Sequence, residues 1–349
     1  MKGRIAVGMS GGVDSLVTAL LLQKQGFEVI GVHLSLQEEE QEDESLDALC
    51  RQAGIPLYRI KGQELFHEKV ITPFIKDYMS GLTPNPCAIC NSFIKWELLA
   101  QAAEQSGITT IATGHYTRIL AHEGRFYVHK GIDPIKEQSY FLWGVPERIL
   151  QRAITPLGDY TKAEVKEMAR QWGFDKIAAK RESMGICFLK GKNYRDFILQ
   201  QNPETNCLPG PIIDTQGNLI GQHEGLLHYT IGQKQGIPPI NGRPQYVKHI
   251  LPKENTLVIA AKENLQNCLL IVGDTNFINQ QELSAPNIEV KIRGLGLNPQ
   301  GFAKITQAGE DRYLVHLSSP AWAAAPGQPV VFYRGDRVIG GGILHETKD

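Results

Sequence analysis

Ile5-Ala6-Val7-Gly8-Met9-Ser10-Gly11-Gly12-Val13-Asp14-Ser15 decides the fold of this chain. Ile5–Met9 is an apolar run of strand length that ends in a polar, glycine-rich turn, which reads as a buried strand feeding a helix. Val13–Gln25 then carries helical periodicity and stops at Gly26, the usual residue just past a helix end. Between strand and helix, Ser10–Ser15 points unpaired backbone N–H groups and the positive helix end toward an anion. The glycines let the backbone approach closely, and the serine hydroxyls add donors. Asp14 is a poor direct phosphate contact and is better suited to hold a Mg²⁺ that neutralises the phosphates. No Gly-Lys-[Ser/Thr] follows, so the loop is not a Walker A, and it is not GxGxxG.

Outward from that loop, strand and helix alternate. Phe27–Leu34 and Pro56–Ile60 read as strands, and Leu46–Ala53 as a helix ended by Gly54. Glu64–Met79 reads as a helix in which Pro73 marks a kink or an early stop. Asn91–Ser106 reads as a helix, and Ile108–Thr113 as a strand running into Gly114-His115-Tyr116. The alternation predicts a parallel, Rossmann-like α/β sheet with helices on both faces. Tyr116–Lys130 looks like a hairpin around Glu123-Gly124. Thr161–Trp172 is a helix with a capping box of Thr161 and Glu164, and Asn193–Gln201 is helical. After Pro203, short alternating runs between turn residues predict small β domains: Gln245–Ile250, Thr256–Ala260, Ile288–Ile292, Arg312–Leu317 and Val330–Tyr333. A linker near Gln201–Pro209 and a weaker boundary near Asn264–Cys268 divide the 349 residues into 1–202, 203–266 and 267–349.

The net charge of −1 conceals an uneven distribution. Glu38, Glu39, Glu40, Glu42, Asp43, Glu44 and Asp47 crowd one stretch without a lysine or arginine, so the rest of the chain is net basic and compatible with a nucleic-acid partner. The acidic run itself reads as a solvated loop. No stretch approaches the ~18–20 apolar residues of a membrane span, and the N-terminus has no signal-peptide pattern, so a cytoplasmic location without membrane contact is expected.

Six cysteines in such a chain suggest redox, metal or catalytic use rather than a disulfide framework. Thr83-Pro84-Asn85-Pro86-Cys87-Ala88-Ile89-Cys90-Asn91 places Cys90 at an expected helix N-terminus capped by Asn91 or Ser92, where the dipole would favour the thiolate. Ser183-Met184-Gly185-Ile186-Cys187-Phe188 lies among Lys180, Arg181, Lys190, Lys192 and Arg195, which would do the same for Cys187. Cys50, Cys207 and Cys268 are expected to be plain buried side chains. No second CxxC or HxxxH pair completes a zinc site.

The loop Ser10–Ser15 matches the SGGxDS loop of the N-type ATP pyrophosphatases. Together with PNPxxxCN, ATGHY and GICF, and with Pro326-Gly327-Gln328 and Gly340-Gly341-Gly342-Ile343 near the end, the chain resembles the bacterial tRNA-specific 2-thiouridylases over nearly its whole length. The resemblance implies an N-terminal ATP pyrophosphatase domain, a small central domain and a C-terminal β-barrel. It implies that ATP adenylates the C2 oxygen of the wobble uridine of a tRNA. Cys187 would carry a persulfide received from a cysteine desulfurase or a sulfur relay protein, and Cys90 would act as nucleophile or resolving thiol through a transient disulfide. By the same resemblance Gly8, Met9, Ser10, Gly11, Gly12, Val13, Asp14, Ser15, Leu34 and Gly114 contact ATP. Asn85, Pro86 and Cys87 face the target base, and His115, Lys136, Glu137, Gln138, Arg293, Gly294 and Gln328 contact the tRNA.

Two departures stand out. The familiar motif is PNPDxxCN, with an aspartate where this chain has Cys87, and the family's basic-aromatic run is replaced by Arg293-Gly294-Leu295-Gly296. Cys87, Cys90 and Cys187 would suffice as three ligands of a [4Fe–4S] cluster, an alternative to the persulfide for the same residues. Other ATP pyrophosphatases share the loop without needing Cys90 and Cys187, and a non-catalytic tRNA- or zinc-binding protein would release neither AMP nor pyrophosphate.

Overall fold

A computed structural model describes residues 2–37, 44–181, 185–202, 207–294 and 296–348. Most of the acidic run (38–43), Ser183 and Met184, the middle of the expected linker (203–206) and Leu295 lie outside the described residues.

Strands β1 (Arg4–Gly8), β2 (Glu28–Ser35), β3 (Leu57–Lys61) and β4 (Thr110–Ala112) form a parallel sheet, in the order β3-β2-β1-β4, with helix α1 (Val13–Lys24) after β1 and α2 (Glu44–Gln52) after β2. Ile5, Ala6 and Val7 are fully buried, as expected of a strand covered on both faces. Strand order reverses at β1, whose neighbours are β2 and β4. The ends of β1 and β4 therefore splay apart into the crevice where such sheets bind ligands.

Helices α3 (Gln63–Phe66) and α4 (Thr72–Met79) are joined by a π-helical segment, His67–Ile71, into one helical run. Pro73 does not stop the run, which continues to Met79. The wider π turn just before it takes up the backbone bond that a proline cannot make. A second π segment, Asn91–Lys95, joins α5 (Pro86–Cys90) to α6 (Trp96–Gln105). This helical run thus begins at Pro86, five residues before the expected start. The reason is local: Asn85 Oδ1 accepts from the Ala88 N–H at 3.3 Å, and Pro86 follows it at the first helical position.

The hairpin β5 (Thr117–His122) and β6 (Arg125–Lys130) turns at Glu123 and Gly124, both at positive φ as a two-residue turn demands. Helix α7 (Glu147–Leu150) precedes the short strand β7 (Ala153–Ile154), which pairs in parallel with β4 at the edge of the first sheet. Helix α8 (Lys162–Gln171) carries the expected capping box. Strands β8 (Gly210–Ile213), β9 (Leu219–His223), β10 (Tyr246–Leu251) and β11 (Thr256–Ala260) form a small separate sheet.

The last strands are β12 (Gln266–Phe277), β13 (Glu289–Lys291), β14 (Ala303–Gly309), β15 (Arg312–Trp322), β16 (Pro329–Arg334) and β17 (Arg337–Lys348). They run in the order β13-β16-β17-β12-β15-β14, and a bridge between Ile288 and Ala303 returns β14 toward β13, closing a barrel. Hairpin strand β6 pairs with β17 at His129 and Arg337, which ties the nucleotide-binding part of the fold to the barrel. Cys50 is buried as expected, but Cys207 is half-buried and Cys268 exposed. Cys268 sits at a register shift between Asn267 and Leu269, where a bulge turns an extra residue outward.

Candidate active site

The loop after β1 is held open by its own hydroxyls. Ser15 Oγ donates to the Gly12 carbonyl at 3.0 Å and accepts from Ser10 N–H at 3.2 Å and from Ser10 Oγ at 3.3 Å. Gly11 has φ +74°, a conformation that favours glycine. Gly12 caps α1 without a side-chain bond, so the first N–H groups of a twelve-residue helix face the crevice. Across it, at the end of β4, Gly114 lies flat against the loop. A Cβ there would fall 2.9 Å from Asp14 C and 3.0 Å from Asp14 O and Ser15 N.

These two strand ends enclose a cavity of about 390 Å³. Gly8, Met9, Ser10, Asp14, Ser15, Leu34 and Gly114 line it, together with His115, Gln138 and Cys187. The nucleotide residues expected from sequence and Cys187, expected to carry the persulfide, thus share one chamber. Gly11, Gly12 and Val13 form the turn behind the lining. His115 stacks on Trp96 (5.7 Å between ring centroids, 28° between planes), and its Nδ1 lies 2.9 Å from Thr113 Oγ1. Its ring is partly accessible from the cavity, yet protein surrounds it. Desolvation, with the charge of Lys95 adding to it, pushes its pKa down to about 3, so it is neutral at physiological pH.

Asp14 does not stand free. Its carboxylate accepts from Lys162 Nζ at 2.7 and 2.8 Å and from the Tyr116 hydroxyl at 2.7 Å. Lys162 is only 11% exposed, so the pair sits where solvent screens it little. Sequence reading missed Lys162, Tyr116 and Lys95. One signal was available for Lys162: it is the first residue of α8, and a cation at a helix N-terminus opposes the macrodipole. A Mg²⁺ at Asp14 would have to displace an ammonium that already holds both oxygens. The carboxylate therefore does not fit a metal while Lys162 is in place.

Cys87 and Cys90 lie one turn apart on α5. Cys90 is buried at 4% exposure within an apolar cluster with Phe66, Phe74, Ile94 and Phe188. The expected thiolate at Cys90 is overturned: burial pushes its pKa up to about 12, against the opposing pull of Lys95. Cys90 ends the first turn of its helix instead of starting one, and apolar packing outweighs any dipole. Asn91 and Ser92, expected as caps, are buried within the π segment, where Asn91 Oδ1 and Ser92 Oγ have no hydrogen-bond partner. Burial likewise raises the Cys87 thiol, although it is half-buried. Proximity to Cys187 adds to the rise in both thiols. Cys187 is exposed and opens a short 3₁₀ turn, Cys187–Leu189, whose Phe188 packs on Phe66 (5.9 Å) and Phe74 (5.1 Å). That packing brings the Cys187 segment onto the Cys90 cluster.

The three thiols do not make a cluster site in this arrangement. Among the described residues no three His, Cys, Asp or Glu side chains gather as metal ligands.

The barrel supports this chamber from below. Gln328 Nε2 donates to the Thr83 carbonyl at 2.5 Å, and Thr83 N–H donates to Pro326 O at 2.8 Å, so the turn before β16 straps the segment leading to Asn85, Pro86 and Cys87. Glu137 accepts from Lys291 Nζ at 3.2 Å, and Gly294 abuts Tyr140 and Phe141, which brings 136–138 and 291–294 together. Gln138 Oε1 accepts from Tyr116 N–H at 2.9 Å. Arg293 is half-buried, donates to Ala323 O at 2.6 Å and lies over the Trp322 ring. Lys136 N–H donates to Asp133 Oδ1 at 3.1 Å.

A parallel sheet with a glycine loop at its switch point, followed by a small β domain and a barrel, defines a nucleotide-binding HUP-domain protein with two β appendages. Residues 3–191 match the family described as tRNA methyl transferase HUP domain, residues 195–261 the tRNA methyl transferase PRC-barrel domain, and residues 267–344 the aminomethyltransferase beta-barrel domain. The chain is 40% identical to a tRNA-specific 2-thiouridylase MnmA 2 of Phocaeicola vulgatus, over 98% of both chains. It is 39% identical to a tRNA-specific 2-thiouridylase MnmA 1 of Caldanaerobacter subterraneus subsp. tengcongensis, over 99% of both. A solved 4-thiouridine synthetase–RNA complex with bound ATP shares 19% identity, at a TM-score of 0.37, over 58% of this chain and 51% of that one. The chain belongs to the tRNA-specific 2-thiouridylase family.

Proposed function

We propose that this chain is a tRNA 2-thiouridylase that uses ATP to replace the C2 oxygen of the wobble uridine with sulfur. One observation carries the reading: Cys187 lines the same cavity as Gly8, Ser10, Asp14 and Ser15. The glycine loop and the α1 N-terminus cradle the pyrophosphate end of ATP. The uridine C2 oxygen attacks the α-phosphorus, pyrophosphate leaves, and the oxygen becomes part of a good leaving group, AMP. Lys162 supplies the cation beside the departing phosphates, and Asp14 and Tyr116 hold it in place. A Mg²⁺ travelling with the phosphates would meet Asp14 only where Lys162 lets go.

Sulfur arrives as a persulfide on Cys187, whose exposure suits delivery by a donor protein, a cysteine desulfurase or a sulfur relay protein. The Cys90 thiolate attacks the Cys187 sulfur, hydrosulfide leaves, and it displaces AMP at C2. A Cys90–Cys187 disulfide remains. Cys90 is protonated at rest, so Lys95, the cation between the thiols and the cavity, favours the charged form when that proton is lost. The persulfide route is preferred over a [4Fe–4S] cluster because, among the described residues, the three thiols do not gather as a ligand set.

The tRNA anticodon would enter past Asn85, Pro86 and Cys87. Phe93 stands 50% exposed in a cavity it shares with Asn85, which suits stacking of an unpaired base. His115, Lys136, Glu137, Gln138, Arg293, Gly294 and Gln328 are assigned to tRNA contact on the same reading. The chain would work in the cytoplasm, divided as 1–202, 203–266 and 267–349; no helix among the described residues is long and apolar enough to cross a membrane. Mass analysis of the wobble nucleoside in tRNA from cells with and without this protein tests the function. Loss of the 2-thio group without it is expected, and an unchanged 2-thiouridine level would refute it.

A further inference from the structure

Cys87 is the thiol that the proposed reaction leaves unused. It lies one helical turn from Cys90 on α5 and is half-buried, and both thiols lie within the field of the Lys95 ammonium. Residues i and i+3 of an α-helix have Cα atoms about 5 Å apart, inside the roughly 4.4–6.8 Å that a disulfide spans. Cys187 is different in kind: it is exposed, and its segment meets the Cys90 cluster through Ile186, Phe188 and Leu189, with Phe188 on the Phe66–Phe74 face. Cys90 therefore has two candidate sulfur partners, one on its own helix and one on the 3₁₀ segment packed against its cluster.

We infer that Cys87 is a resolving thiol, which moves the disulfide left by sulfur transfer from Cys90–Cys187 onto Cys87–Cys90. The Cys87 thiolate attacks the Cys90 sulfur, the Cys90–Cys187 bond breaks, and Cys187 leaves as a thiolate and takes up the proton that Cys87 gave up. No electrons enter or leave in this exchange. Cys187 is free at once for the next persulfide, while the oxidising equivalents wait on the CxxC pair until an external thiol or dithiol reductant opens it. The consequence is a division of labour. The exposed cysteine faces the sulfur donor, and the helical pair faces the reductant. This rests on the proposed persulfide reaction for its purpose, but the pair's ability to close does not.

Two measurements on the full-length protein separate the claims. In the first, Cys187→Ser is equilibrated in glutathione redox buffers, quenched with acid and alkylated. The expected result is a peptide carrying Cys87 and Cys90 that is two hydrogens lighter and blocked to alkylation. If both thiols were alkylated or singly glutathionylated at every poise, the inference would be overturned, with the thiolation reaction untouched. In the second, persulfide-loaded protein makes one turnover on tRNA and its disulfides are mapped. Wild type should hold Cys87–Cys90 with Cys187 free, and Cys87→Asp, which restores the family's familiar residue, should hold Cys90–Cys187. In the Asp variant turnovers after the first should slow, relative to its own first turnover, until reductant is added. Cys90–Cys187 in both proteins would contradict the relay. Absence of 2-thiouridine in both would instead sink the proposed function.

Discussion

The two ends of the cavity are built on opposite plans. At the glycine-loop end the side chains have fixed partners: Ser15 with Ser10 and Gly12, Asp14 with Lys162 and Tyr116. Gly114 is pressed so closely on the loop that not even a methyl group fits. At the sulfur end, one cysteine is exposed and the other is buried and protonated. The first plan suits a phosphate chain that always arrives with the same shape, because preorganised dipoles need no rearrangement at the moment of reaction. The second suits groups that, in the proposed reaction, would be approached in turn by a donor protein, a uridine and a reductant. A thiol that stays protonated until needed does not react with the wrong partner.

If the two ends do different jobs, they should fail differently. The largest effect is expected from Cys187→Ser and Cys90→Ser, which should abolish 2-thiouridine formation while ATP still binds, as read by nucleoside mass analysis beside a nucleotide-binding titration. Loss of ATP binding in either variant would erase the distinction between the ends. Next, Lys162→Met should lower kcat/KM for AMP formation by on the order of 10²-fold, the size typical of removing one preorganised charge-stabilising group. Removing its partner as well, in Lys162→Met with Asp14→Asn, should cost less than the two single losses combined, because Asp14 is no longer left unpaired.

Gly114→Ala should force the loop aside, destabilise the fold by about 1–3 kcal/mol and raise the KM for ATP, visible together in denaturant midpoints and steady-state kinetics. The smallest effect concerns His115. Its folded pKa of about 3 lies below the ordinary 6.5. As pH falls below that value, the unfolded chain takes up a proton that the folded chain refuses, so His115 lowers stability progressively down to about pH 3. His115→Asn should show a shallower loss of urea midpoint between pH 7 and pH 5 than wild type. Equal slopes would mean that His115 titrates normally.

Much of this was legible in the sequence where the causes are local. The run Ile5–Val7, the glycines ending α1 and α2, the Glu123-Gly124 turn and the capping box of α8 each encode their conformation within a few residues. The resemblance supplied both cysteines and the barrel. What sequence did not show depends on contacts between distant segments. Lys162 meets Asp14 across 148 residues, and β6 joins the barrel through a partner in β17. The state of Cys90 was misread because its environment is made by Phe66, Phe74 and Phe188, none of which adjoins it in the chain. The early start of the cysteine helix was in principle readable, since Asn85-Pro86 is itself a start signal.

The central claim is that both ends act on one atom: the loop end turns the uridine C2 oxygen into the leaving group that the sulfur end replaces. The direct test is a single turnover of persulfide-loaded protein with ATP and a tRNA whose wobble uridine carries ¹⁸O at C2. The account predicts one ¹⁸O in the AMP for each 2-thiouridine formed; AMP without ¹⁸O, its extra oxygen drawn from water, would contradict it.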